Sequence, residues 1–156
     1  MGQTALCPIG FTVGSDAAFF LQAQFKVQDV SGANPLIIGF RKAQAFDATL
    51  ANYTDFAAIG IVGTAGKIQT ETQVNTGGVV TTDSTQTAVD GAVFQVKIKV
   101  SSSGVVTYEY NYAAPTVVAA FTFDSGDYVI PFIRFTEAAD ITTQAAINYL
   151  ECGFQS

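Results

Sequence analysis

Histidine is absent from this 156-residue chain. That removes the commonest general base and the commonest metal ligand. No Ser–His or Cys–His nucleophile pair can be assembled. Cys7 and Cys152, far apart and without histidine, do not describe a zinc site. Gly60, Gly63 and Gly66 lack the Lys-Ser/Thr sequel of a phosphate-cradling loop. Carboxylates are what is left for acid–base work. A glycosidase needs two of them, roughly 5–5.5 or 6.5–9.5 Å apart. Along one strand that means acids at i and i+2, and no predicted strand carries such a pair. Glu109 stands beside Asn111, and Glu151 stands alone near the end. The expectation is a chain with no catalytic residue and no cofactor site, hence not an enzyme.

Binding chemistry has more candidates. Asp47, Asn52 and Asp55 share one loop, and Asp124 and Asp127 bracket a turn with Ser125. Their oxygens suit Ca²⁺, yet Asp and Asn are also ordinary turn formers, and no resident metal is expected. Tyr108, Tyr110 and Tyr112 alternate along one predicted strand. They would make either an aromatic platform for a sugar ring or a half-buried sheet or subunit face. Asn52-Tyr53-Thr54 matches the glycosylation triplet.

Period-two alternation is what positions these residues. In Phe94-Gln95-Val96-Lys97-Ile98-Lys99-Val100, alternate side chains fall on opposite faces. Phe19 to Val27 alternates in the same way. Predicted strands follow at 36–46, 56–62, 67–74, 79–82, 94–100, 105–112, 117–123, 128–136 and 145–154. Residues 36–46 begin apolar on both faces, as a doubly covered strand would. Ser101-Ser102-Ser103-Gly104 closes a hairpin, which brings Glu109 onto the face of Lys97 or Lys99. Pro131 calls for an edge or a bulge. Residues 47–55 read as a loop or short helical turn. Many short strands near ten-residue spacing predict an all-β sandwich or barrel. Residues 1–18 form an N-terminal arm or first strand, and 19–156 a single β-sandwich domain.

Composition sharpens the partners. The chain is 49% hydrophobic, 13% charged and carries −6 at neutral pH. Its seven basic residues are scattered, so no phosphate-tracking stripe forms and nucleic acid is not expected. No apolar run is long enough to span a membrane, and no export leader is expected from the first residues. A surface this poor in charge is covered by copies of itself or a partner, or solvated by Thr, Ser, Gln and Asn. Phe11 and Val13, apolar in a small and polar segment, are candidate gripping residues of the arm. One Cys7–Cys152 bridge and two small buried hydrophobes are the alternatives for the cysteines.

FQVKIKVSSSGVVT (94–107) resembles the strand–hairpin–strand of concanavalin A-like, laminin-G-like jelly rolls. FTFDSGDYVIPF (121–132), INYLECGF (147–154) and FRKAQAF (40–46) are similar to stretches of such domains in tailed-phage structural proteins. The resemblance implies a two-layer antiparallel jelly-roll sandwich and a virion role assembled in the host cytoplasm. It implies a capsid decoration or cement protein, most simply a homo-oligomer (a trimer) that binds the major capsid protein. The alternative is a lectin-like module that takes a glycan over Tyr108, Tyr110 or Tyr112.

Overall fold

The computed structural model describes residues 10–63, 65–137 and 144–155. Among the described residues ten strands run in chain order: β1 (Phe11–Thr12), β2 (Phe19–Val27), β3 (Ala33–Lys42), β4 (Phe56–Ile61), β5 (Lys67–Gln73), β6 (Val80–Thr87), β7 (Val93–Val100), β8 (Val106–Tyr110), β9 (Tyr128–Glu137) and β10 (Ala145–Phe154). A single 3-10 turn, Leu50–Asn52, is the only helix among the described residues. The strands build a six-stranded sheet, β1-β9-β3-β4-β5-β6, and a four-stranded sheet, β10-β2-β7-β8. All named pairings are antiparallel. The fold is an all-β two-layer jelly-roll sandwich.

The predicted alternation sets the inside. Phe19, Leu21, Ala23, Phe25 and Val27 of β2 are buried, as are Phe94, Val96, Ile98 and Val100 of β7. They meet Leu36, Ile38, Phe40, Ala57, Ile59 and Ile61 of the larger sheet in one core. Ile37, on the opposite face of β3, is buried in a second cluster with Leu50, Tyr53, Phe56, Ala58 and Phe132. β3 is thus covered on both faces, as its continuous apolar run predicts.

Three expectations change. Phe11 and Val13 do not form a gripping arm: both are buried in this molecule's own core. The Phe11 ring stacks on Phe19 at 4.3 Å, so burial against β2 takes the residue that a partner would need. Residues 117–123 are not a strand. Pro115 lies at their start, their ladder is a lone Val105–Thr122 bridge, and only Phe121 and Phe123 enter the core. The strand expected at 79–82 runs on to Thr87, so Asp83-Ser84-Thr85 belongs to β6. Asp83 Oδ1 accepts the Thr85 N–H at 2.9 Å and Thr85 takes φ +66°, which carries the strand past a register shift. Pro131 finds the edge it needs, since β1 pairs β9 only at Tyr128 and Val129.

Tyr108 points inward between Val106 and Tyr110. Its hydroxyl is buried and has no hydrogen-bond partner among the described residues. Burial pushes this phenol far above the ordinary tyrosine range. A raised folded-state pKa contributes stability below the unfolded value of about 10, and the contribution is lost above it as the unfolded chain ionises. Urea unfolding is therefore expected to show stability falling above about pH 10, with part of that fall missing in Tyr108→Phe. At pH 7 the same variant should be neutral or stabilising by up to about 1–2 kcal/mol, because it removes an unsatisfied polar group. A destabilised Tyr108→Phe would contradict the burial.

Candidate functional site

The outer face of the six-stranded sheet forms a trough. Register builds it row by row. One row runs Phe132, Gly39, Ala58, Glu71 and Thr81, and the next Arg134, Ile37, Gly60, Gln69 and Asp83. Gly39, Ala58, Gly60 and the larger Ile37, all buried, thus lie on the two central strands between longer side chains on β9 and on β5 and β6. They make a floor with Arg134 on one side and Gln69 and Glu71 on the other.

Charge is arranged across that floor. Burial lifts the Glu71 carboxyl above its ordinary range, while Arg134 and the Thr81 hydroxyl, 3.5 Å from Oε1, act against the lift. On the neighbouring strand, the Lys67 ammonium at 2.5 Å and the Thr85 N–H hold Asp83 below its ordinary value. The two acids on this face are driven in opposite directions.

One end of the trough is built shut by residues 43–55. The Arg41 guanidinium lies 4.2 Å from the Tyr53 ring centre, and its Nη1 donates to the Lys42 and Gln44 carbonyls at 3.3 Å. Tyr53 Oη donates to the Asp47 carbonyl at 3.0 Å and accepts the Asp47 N–H at 2.8 Å. Gln73 Nε2 donates to the Ala51 carbonyl at 3.0 Å and to that of Tyr53. Arg41 Nε and Gln73 Oε1 are buried without a partner among the described residues, so this closed end holds polar capacity in reserve.

The sequence candidates lie elsewhere. Tyr108 is in the core. Tyr110 is half-buried on the same inner side, with its ring 6.2 Å from Phe94 and its hydroxyl donating to the Thr87 carbonyl at 3.2 Å. Tyr112 alone reaches solvent, at 70% exposure. Asn111 and Tyr112 take φ +48° and +68°, the two central positions of a tight turn closed by Tyr110 and Ala113, so the alternation breaks there. The three tyrosines therefore form no common outward face. Glu109 pairs with Lys99 at 2.5 Å, the cross-strand partner that the hairpin requires. Asp47 accepts from Thr49 N–H and Asn52 Nδ2, and Asp127 from Lys42 and the Asp124 N–H, as turn formers do. Among the described residues no three His, Cys, Asp or Glu side chains gather as a metal would need. Cys152 is half-buried against the core, and Cys7 lies outside the described residues.

Glu71, Arg134 and Gln69 do not stand out in the sequence, because Arg134 lies on a different strand from the other two and no single strand brings the three together. The trough joins residues from β5, β6 and β9. The available signal was Lys67-Ile68-Gln69-Thr70-Glu71-Thr72-Gln73, in which one parity is wholly polar and long.

No family model and no curated protein sequence matches the chain. Solved structures do. An alginate lyase from Pseudomonas aeruginosa superposes with a TM-score of 0.57 at 14% identity, over 92% of this chain and 68% of the lyase. A β-1,3-glucanase from Mycobacterium marinum gives 0.59 at 11% identity, over 94% of this chain and 65% of the glucanase. A variant of human galectin-16 gives 0.58 at 12% identity, over 99% of this chain and 100% of the galectin. Identities this low speak to the fold. They nevertheless correct the expectation that the chain is not an enzyme. Lyases and a glucanase share this sandwich, so a scaffold-like strand pattern does not separate binding from catalysis. None of the three is named for a capsid or tail role. The chain is an all-β, concanavalin A-like jelly-roll sandwich.

Proposed function

We propose that this chain is a carbohydrate-binding sandwich whose ligand lies in the trough of the six-stranded sheet. The observation that carries this reading is Glu71 and Arg134 standing on opposite sides of a floor made by Gly39, Ala58, Gly60 and Ile37. A sugar ring needs a shallow, largely apolar floor. Its hydroxyls need paired acceptors and donors, which a carboxylate and a guanidinium supply. The lectin and polysaccharide-active neighbours support the class of ligand.

Glycan-array screening followed by calorimetry tests it. Glu71→Gln and Arg134→Ala are each expected to weaken binding by about 10–100-fold, the loss of one charged hydrogen-bonding group. Wild-type affinity in both variants would exclude the trough. The pH dependence has a defined sign. Binding through the Glu71 carboxylate falls as pH drops through its raised pKa, so the loss begins above the range of an ordinary glutamate. Stability moves the other way. A raised folded pKa gives a contribution present below the unfolded value and lost as pH rises through the folded one, so Glu71→Gln should not destabilise the protein at neutral pH.

A second reading is cleavage of the bound glycan. Register favours it, since Glu71 and Asp83 stand in adjacent rows on one face of β5 and β6; burial raises the first carboxyl and Lys67 lowers the second, as in pairs that divide acid and base roles. An assay for new chain ends on every glycan that binds decides it, and intact ligand throughout would reject it. Placement on a virion, as a homo-oligomer on capsid protein, is a separate proposal that rests on the sequence resemblance; particle fractionation tests it.

A further inference from the structure

We infer that the outer face of the four-stranded sheet is a second carbohydrate platform, separate from the trough, and that it takes an acidic, uronate-bearing glycan strand. Its centre is a row set by register, in which Tyr149 lies opposite Gln24 and Gln24 opposite Gln95. Tyr112 joins this row through its backbone N–H, which donates to Gln95 Oε1 at 3.0 Å. Two tyrosines, 70% and 44% exposed, therefore flank a pair of amides. Exposed aromatic faces beside planar amides are what a sugar ring stacks on and bonds to. Gln95 is 1% exposed, its oxygen is fixed by Tyr112, and its Nε2 has no partner among the described residues. A buried donor without an acceptor calls for one from outside.

The platform continues into a groove. Two residues along β2 from Gln24 stands Lys26, a step of roughly 6.6–6.8 Å. Lys26, Gln28, Gly91, Gln144 and Ala146 line an open groove of about 420 Å³ there. A linear ligand can run from the tyrosines along β2 into it.

Charge selects the ligand. Among the described residues this face holds three of the chain's seven basic residues, Lys26, Lys97 and Lys99, and two of its thirteen acidic ones, Glu109 and Glu151, the latter accepting from the Tyr149 hydroxyl. The described face is thus net positive by one charge on a chain of net charge −6. Lys99 is matched by Glu109. Lys97 lies 4.4 Å from the Phe20 ring centre, and among the described residues neither it nor Lys26 meets a carboxylate at ion-pair distance. Two ammonium groups beside a stacking surface suit a strand that carries carboxylates.

The experiment titrates the full chain with a galacturonate hexamer, using maltohexaose as the neutral comparison. Galacturonate is expected to bind and maltohexaose to bind more weakly. The double variant Lys26→Gln, Lys97→Gln should lose about 10-fold or more, and 0.5 M salt should reproduce much of that loss. Tyr149→Ala should weaken binding, whereas Lys42→Gln, a charge loss on neither face, should leave galacturonate affinity unchanged. Repeating the titration in a Glu71→Gln, Arg134→Ala background removes the trough's contribution, so the binding that remains reports this face alone and failure here is distinct from failure of the trough reading. The inference is overturned by absence of galacturonate binding in that background, by equal or stronger binding of maltohexaose, by affinity that survives the lysine and tyrosine variants with circular dichroism unchanged, or by an equal loss in Lys42→Gln.

Discussion

Phe19→Ala is expected to lower the free energy of unfolding by about 3–5 kcal/mol, the range for deleting a fully buried phenylalanine. Phe19 opens β2 and is completely buried. Its ring stacks on Phe11 at 4.3 Å with the planes 5° apart, and meets Phe40 edge-on at 5.0 Å. Phe154 approaches Phe11 edge-on at 5.4 Å. One side chain thus ties β2 of the smaller sheet to β1 and β3 of the larger. Each such ring pair adds about 0.5–1.5 kcal/mol beyond the area it buries, which puts the effect toward the upper part of the range. The urea midpoint should fall without a change in slope. Phe20→Ala is the control. Its ring is on the outer face against Lys97 and should cost about 1 kcal/mol. Equal losses from the two variants would refute the placement of β1 over the smaller sheet.

The same residues show why the fold was legible and the site was not. β2 reads correctly because its inner parity is wholly apolar and its outer parity is polar except for Phe20, so a one-residue slip would bury Gln22, Gln24 and Lys26. The hairpin of β7 and β8 reads correctly for the same reason. The alternation fails at Tyr112, where two left-handed residues reverse the chain, and neither Asn111 nor Tyr112 announces that turn as a glycine would. Residues 117–123 have the composition of a strand, but their backbone bonds to Val106, Gly104 and the Thr70 hydroxyl rather than along a continuous ladder. Strand identity belongs to pairing as well as to sequence. The trough was invisible for a geometric reason. Glu71 and Arg134 are 63 positions apart and meet only because β9, β3, β4 and β5 fall in that order. Nothing local to either residue encodes that order. Gly39 and Gly60 could be read as weak strand formers, yet a β-carbon at either would run into the backbone of the neighbouring strand, so their smallness is what lets β3 and β4 approach.

Gly60→Ala is expected to prevent folding or to cost roughly 3 kcal/mol or more, combining overpacking with backbone strain. Gly60 lies opposite Ile37 on β3 and Gln69 on β5, with φ +155°. A β-carbon there would sit 2.1 Å from the Leu36 carbonyl oxygen and 2.8 Å from the Ile37 α-carbon. Both are backbone atoms of a strand paired on each side, so neither can swing away as a side-chain end would. The only relief is separation of β3 from β4, which breaks the ladder at the centre of the trough floor. Gly63→Ala separates the two contributions. Gly63 also has a positive φ, +79°, but its β-carbon would meet nothing within 4 Å, so only the left-handed cost of about 1–2 kcal/mol applies. Thermal melting should therefore rank wild type above Gly63→Ala and Gly63→Ala well above Gly60→Ala. Any Gly60→Ala protein that does fold should bind its glycan more weakly than Gly63→Ala does, because the clash lies beneath Arg134 and Gln69 while position 63 lies beyond the end of β4. A Gly60→Ala melting temperature equal to wild type would mean that β3 and β4 do not approach this closely and that the floor is not set by glycine.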